Sequence, residues 1–335
     1  MLIIVYKQYK SMETTRYHRS DIEIFLKDFI NHWANSDENK IADDLAPFVN
    51  FRSNVHGVIK GKVNVAKNLF EDRSNHSLSL ASSNHFIAGI PDGKENKVVF
   101  SFYLYGIISD ENDSIATFGA TSIIEILMKD SETMEITDFK FSVNWIEGDA
   151  HLLQKWSPIR GQRFWQPGDT TPVIVSELDA PWNKYKNLIP IGTEKDWIME
   201  AYSRYSWAID QNDIGLLIST FSRAAEGNLT PMGDLKGLSN IIGQIKDFRQ
   251  PWTQMQHFAE PIKVAINDDE ISAHMIVGRI VPQYFEKLEE EKNYAAFYPL
   301  TMVKEDGQWK MEKFNYIPHN FRSFAGLKDY ADRFI

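Results

Sequence analysis

Tyr205, Asp210 and His257 are residue types that can move a proton between carbon and oxygen with no cofactor and no metal. An imidazole titrates near neutral pH, a carboxylate orients it and stabilises its charged form, and a phenol donates to a carbonyl oxygen turning into an enolate. Tyr205 and Asp210 close the stretch Tyr205-Ser206-Trp207-Ala208-Ile209-Asp210, and His257 lies in Met255-Gln256-His257-Phe258. The types recur earlier in the chain. His32 and Asp37 keep the same spacing, and His85 sits in Asn84-His85-Phe86. His85, Asp37 and His32 would form a second, altered site, with His32 in the tyrosine's place. Each residue also has an ordinary structural role: a histidine opening a strand can bond a backbone carbonyl, an aspartate after a helix can cap the next one, and a tyrosine on an apolar helix face can be core.

The recurrence belongs to a longer repeat. Lys60-Gly61-Lys62-Val63-Asn64, Phe70-Glu71-Asp72-Arg73 and Asn84-His85-Phe86 are echoed by Lys236-Gly237-Leu238-Ser239-Asn240, Lys246-Asp247-Phe248-Arg249 and Gln256-His257-Phe258. A period this long is too great for a solenoid unit and implies two tandem copies of one domain. A length of 335 residues suits two domains, each with its own core. The spans are 18–150 for the first domain, 151–193 for a connector, 194–320 for the second and 321–335 for a C-terminal tail.

The elements that would carry these residues follow the same order twice. Ile22, Phe25, Leu26, Phe29, Ile30 and Trp33 have helical spacing, continued by Ile41, Leu45 and Phe48 on a second short helix. Trp197, Ile198, Ala201, Tyr202, Tyr205 and Trp207 lead likewise to Ile214, Leu217, Ile218 and Phe221. Third helices over 63–70 and 238–248 each follow a glycine-bearing turn. Strands are expected at 97–108, 116–128 and 134–145, and again at 262–266, 271–281, 295–303 and 309–317, with a tight turn at Asp306-Gly307. Helices followed by strands predict α+β domains, each with N-terminal helices packed on a curved antiparallel sheet that encloses a pocket. The connector holds Trp156, Pro158, Trp165, Pro167, Pro172, Pro181, Trp182 and Pro190, a composition for a stiff docked segment.

Composition narrows the function. A net charge of −10 and no basic stripe among aromatics argue against nucleic acid as a partner. The absence of cysteine removes disulfides, thiolate nucleophiles and thiolate metal sites. The apolar start Met1-Leu2-Ile3-Ile4-Val5-Tyr6-Lys7 is too short for a membrane span or a secretory core, so it is expected to be a disordered or loosely docked leader of a cytoplasmic protein with no membrane partner. Gly-x-Ser-x-Gly, the Walker loop, Gly-x-Gly-x-x-Gly and His-Glu-x-x-His are all missing, and the nine histidines show no helical ligand pair.

The helix-to-sheet order, the Tyr205-x-x-x-x-Asp210 helix end, the glycine turn before the third helix and Met255-x-His257 resemble the SnoaL-like branch of the nuclear transport factor 2-like superfamily. The resemblance covers nearly all of 194–320 and, less fully, 18–150. It implies two tandem cone-shaped domains of the cystatin-like α+β barrel type. The second copy is most similar to the group of bile-acid 7α-dehydratase and scytalone dehydratase, including Asp306-Gly307-Gln308-Trp309 and Asn315-Tyr316-Ile317. It places Tyr205, Asp210 and His257 at positions that line the dehydratase pocket. Two positions depart: Val277-Gly278-Arg279 stands where the dehydratases carry an acidic residue, and Pro318-His319 where they carry an arginine.

Two functions follow as expectations. One is a cofactor-independent dehydratase or isomerase acting on a small hydrophobic, cyclic carbonyl compound, with His257 as acid and base, Asp210 as its partner and Tyr205 as donor. The other is a noncatalytic module whose cone holds a small ligand or docks a protein. In both, the two copies pack on each other as an intramolecular pseudo-dimer.

Overall fold

The computed structural model describes residues 18–73, 76–91, 96–129, 133–149, 151–152, 155–156, 168, 171–249, 256–282, 293–321 and 324–333. The N-terminal stretch read as a leader, together with Pro158, Trp165 and Pro167 of the connector, lies outside them. The first half contains α1 (Arg19–Ala34), α2 (Glu38–Asp43), β1 (Leu45–Ser53), β2 (Gly57–Lys60), α3 (Lys62–Phe70), β3 (Ser77–Ile90), β4 (Lys97–Ser109), β5 (Ile115–Met128) and β6 (Met134–Gly148). Two short helices, α4 (Ser176–Asp179) and α5 (Pro181–Lys184), and the strand β7 (Ile189–Pro190) lead into the second half. That half holds α6 (Glu194–Asp210), α7 (Ile214–Ser219), β8 (Phe221–Asn228), β9 (Asp234–Lys236), α8 (Leu238–Arg249), β10 (Ala259–Ile266), β11 (Ser272–Ile280), β12 (Tyr294–Glu305), β13 (Gln308–Phe314), β14 (Ile317–Phe321) and α9 (Phe324–Ala331).

The architecture is α+β with two curved, open sheets. Their strand orders correspond: β2-β1-β6-β5-β4-β3-β7 in the first, and β10-β11-β12-β13-β8-β9 in the second, where β14 also pairs with β12. Neighbours are antiparallel except β1 with β6 and β8 with β13, which run parallel. The expected turn joins β12 to β13, with Asp306 and Gly307 at φ 53° and 78°, the positive pair that a two-residue hairpin requires.

Three expectations change. Leu45 and Phe48 leave the helix and open β1, and Phe48 is 94% exposed. Phe221 likewise opens β8. Helical spacing of apolar residues continued across each break, but short runs do not separate helix from strand by period alone. The C-terminal tail is partly the helix α9, whose Leu327 and Ala331 are fully buried.

The first sheet is covered on both faces. Along β4, Val98, Phe100, Phe102, Leu104 and Ile108 join the core beneath α1, while Val99, Tyr103, Tyr105 and Ile107 join the core that continues into the second half. Double burial explains why β4 and β5 read as nearly unbroken apolar runs. Connector residues fill both cores: Trp156 stacks on Phe118 at 4.3 Å, and Trp182 meets Phe86 and Trp207 edge-on.

Polar clamps cross the same boundary. Arg19, at the start of α1, ion-pairs at 2.5 Å with Glu200 on α6, and Glu200 also accepts the Ile87 amide at 3.0 Å. Both side chains are buried. Gln256 accepts the Trp145 indole N–H at 3.1 Å and donates to the Ala120 carbonyl at 3.0 Å. None of the described helices is long and apolar enough to cross a membrane.

The Arg19–Glu200 pair sets a stability test. Arg19→Met strands a buried carboxylate, which costs about 3–5 kcal/mol. Urea unfolding should show that loss, and Arg19→Met combined with Glu200→Leu should recover most of it.

Candidate functional site

Asp210 is the last residue of α6, a helix whose start is fixed by a Thr193/Asp196 capping box. Its end is held by Arg249 of α8, whose guanidinium donates to the carbonyls of Ile209 at 3.2 Å and Asp210 at 3.4 Å. A cation at that position satisfies terminal carbonyls and opposes the negative end of the helix. The Asp210 carboxylate then points at the chain entering β10. Its Oδ1 lies 2.6 Å from His257 Nδ1, and its Oδ2 accepts the His257 amide at 2.7 Å.

A third donor comes from the first half. Tyr103, on the outer face of β4, donates its hydroxyl to Asp210 Oδ2 at 2.9 Å. Phe258 packs edge-on against Tyr103 and Tyr105 and fixes the segment that carries His257. Asn84 clamps the same segment, donating to the His257 carbonyl and accepting the Ala259 amide, both at 2.9 Å.

His257 is 4% exposed. Burial lowers its pKa, a trend that Arg279 and Arg249 reinforce and Asp210 only partly offsets. The imidazole is therefore neutral at pH 7. With Nδ1–H assigned to Asp210, Nε2 carries the lone pair and has no hydrogen-bond partner among the described residues. That is the form a general base requires.

Tyr205 lies one ring away, with its centroid 6.3 Å from that of His257. It belongs to an aromatic cluster with Tyr202, Tyr298, Tyr316, Phe221 and Phe314. Burial, then Tyr298 and Asp210, push the Tyr205 phenol well above its usual pKa, so it stays a proton donor. Arg279, on β11, lies close to this cluster. Burial opposes its charge, but Tyr298, Tyr316, Tyr202 and Asp210 outweigh that and raise its pKa. The other departure from the resemblance is structural, since His319 stacks on Phe321 at 3.9 Å beside α9.

The structure does not bring His32, Asp37 and His85 together. Asp37 caps α2 by accepting the Lys40 amide at 3.2 Å, and its counterpart is Asp213, which caps α7 in the same way. The offset that aligns Gly61 with Gly237 also aligns Asp37 with Asp213, and it leaves Ala34 opposite Asp210 and Phe29 opposite Tyr205. The matched spacing of Asp37 and Asp210 was thus out of register with the repeat. His32 pairs with Asp44 at 2.7 Å, and His85 with Ser82 and Glu23. The first half has a different buried pair: His56 Nε2 lies 3.0 Å from Asp72, which also accepts the Trp33 indole N–H and faces Lys155. Ser53 takes the other His56 nitrogen at 3.0 Å, so the ring has no open position. The roles of Tyr103 and Asn84 escaped the sequence because each acts through a partner remote in the chain.

Residues 193–315 match the SnoaL-like domain family. No curated protein matches the chain. Among solved structures, ActVI-ORFA from Streptomyces coelicolor is similar at 8% identity over 37% of this chain and 96% of that one, with a TM-score of 0.34. Hexachlorocyclohexane dehydrochlorinase LinA-type3 from Novosphingobium barchaimii is similar at 15% identity over 39% and 90%, with a TM-score of 0.33. A cystatin-like protein of unknown function from Nostoc punctiforme is similar at 16% identity over 38% and 91%, with a TM-score of 0.30.

The Tyr103 contact gives a test by histidine-resolved NMR titration. The wild-type His257 midpoint should fall below the ordinary 6.5. The unfolded chain then takes up this proton first, so the group's share of stability is complete above pH 6.5 and declines as pH falls below it. Tyr103→Phe removes a donor from Asp210, leaves the carboxylate more able to stabilise an imidazolium, and should raise the midpoint. Its stability loss should be about 1–2 kcal/mol.

Proposed function

We propose that the second half is a small-molecule site in which His257 transfers a proton on a hydrophobic, cyclic carbonyl compound. The reaction class is cofactor-independent dehydration or isomerisation, as in the dehydratase group that 194–320 resembles. The observation that carries this reading is the 2.6 Å bond from His257 Nδ1 to Asp210, which leaves a neutral Nε2 unpartnered beside a cluster of phenol rings. His257 Nε2 removes the proton α to the carbonyl, Tyr205 donates to the oxygen as it gains charge, and His257 returns the proton to carbon or to a departing hydroxyl. Asp210 keeps the ring in its working tautomer and stabilises the transient imidazolium. The two halves act as a covalent pseudo-dimer, because Tyr103 and Asn84 of the first hold Asp210 and the His257 segment of the second.

A noncatalytic reading is favoured by a different observation. Every oxygen of the Asp210 carboxylate is taken up by the protein, and neither the cavity at the domain boundary nor the shallow one beside Arg73 is lined by His257. In that reading the dyad locks the two halves together around a ligand that is held and not turned over.

Exchange of α-hydrogens separates the two without a known substrate. Incubated in D2O with a panel of cyclic ketones and enones, the wild-type protein should accelerate deuterium incorporation at carbon α to the carbonyl. His257→Gln should lower that rate by about 100-fold or more, and Tyr205→Phe by less. Ketone binding with no exchange above the buffer rate supports the noncatalytic reading instead.

A further inference from the structure

The strand β3 changes face at its middle. Leu78 and Leu80 face the core beneath α1, as Ser82 must by alternation, whereas further on it is Ile87 that faces that core while Phe86 and Ala88 face the second half. The cause is a one-residue bulge: the pairing of β3 with β4 runs from Ser83–Tyr103 to Phe86–Ser101, and Asn84 has φ 54°. Residues three apart on a regular strand point to opposite faces, but the bulge turns His85 onto the same face as Ser82. The second half holds the bulge in place through the two hydrogen bonds of Asn84 to the 257–259 backbone.

The result is an ordered series of three side chains. His85 Nε2 lies 3.0 Å from Ser82 Oγ, and His85 Nδ1 lies 3.5 Å from Glu23 Oε1 on α1. Arg19 donates to the same glutamate oxygen at 3.0 Å. Burial tends to raise the Glu23 pKa, but the bonds from His85 and Arg19 prevail and keep it ionised. The imidazole ring is fixed edge-on against Phe100 at 5.1 Å. All three residues line one cavity of about 210 Å³ between the halves, whose far wall includes Met199, Tyr202, Ala259, Pro261 and Ile280.

We infer that Ser82, His85 and Glu23 are a nucleophile, general base and orienting carboxylate that hydrolyse small carboxylic esters in this cavity. A serine hydrogen-bonded to one imidazole nitrogen, with a carboxylate on the other, is the arrangement that activates a hydroxyl. The mainly apolar far wall suits an acyl group of a few carbons. Ser82 Oγ bonds to the acyl carbon as its proton passes to His85 Nε2, and the departing alkoxide leaves with that proton as an alcohol. Water then adds to the acyl carbon and gives a proton to His85. The Ser82–acyl bond breaks, the carboxylic acid is released, and Ser82 regains its proton. This site shares no side chain with the His257 dyad.

Covalent trapping and turnover test it together on the full chain. An alkyl fluorophosphonate should add once to the wild-type protein, with the adduct mapped to Ser82 by peptide mass spectrometry. Hydrolysis of p-nitrophenyl acetate should fall by about 100-fold or more in Ser82→Ala and in His85→Gln. Ser79→Ala, on the opposite face of β3, should keep the wild-type rate, with circular dichroism confirming that each variant folds. No adduct at Ser82, or a Ser82→Ala protein that hydrolyses the ester at the wild-type rate, would overturn the assignment.

Discussion

The Asp210 carboxylate is the point on which the two halves agree. It accepts two bonds from His257 and one from Tyr103, so the end of α6, the entry to β10 and the outer face of β4 meet at one charged group. An ionised carboxylate has lone pairs for all three donors, and nothing of similar size and no charge could serve them. Arg249 on the adjoining carbonyls supplies a nearby positive charge that eases the burial of the anion. The carboxylate that ties the halves together through Tyr103 also orients the His257 ring.

That meeting requires a first sheet with two buried faces. One face holds the helix α1, as any amphipathic helix-on-sheet layer does. The other offers Tyr103, Tyr105, Phe86 and Trp145 to the second half, in contact with Phe258 and Trp182. Close approach is possible at Gly119, where any side chain would meet Trp145 and Gln256. Trp145 and Gln256 are thus buried as a bonded pair between the halves, and the Asn84 bulge that reaches across turns β3 over and gathers Ser82 and His85.

Fold class was legible because it rests on local signals: helical spacing in Ile22 to Trp33, β-branched alternation in β11 and β12, and Asp306-Gly307 at a hairpin. The resemblance that pointed to the second-half candidates covers their surroundings, and of these Asp210 and His257 are adjacent in the structure. The first-half candidates were not, because a five-residue spacing shared by His32–Asp37 and Tyr205–Asp210 says nothing about register. The capping of α2 by Asp37 and of α7 by Asp213 sets that register, and capping is a backbone property. Tyr103 and Asn84 were beyond reach for another reason. Tyr103 depends on which face of β4 meets the second half, and a strand buried on both faces has no polar side to mark it, whereas Asn84 depends on a bulge that only the pairing of β3 with β4 reveals.

Asp210 holds His257 as a neutral imidazole with its proton on Nδ1 and its lone pair open on Nε2. Long-range nitrogen–proton correlation on histidine-labelled protein at pH 7 reads this directly. The expected result is a protonated, pyrrole-type Nδ1 and a deprotonated, pyridine-type Nε2 for the His257 signals, assigned by their loss in His257→Gln. A proton on Nε2, or an imidazolium at that pH, would rule out Nε2 as the open base.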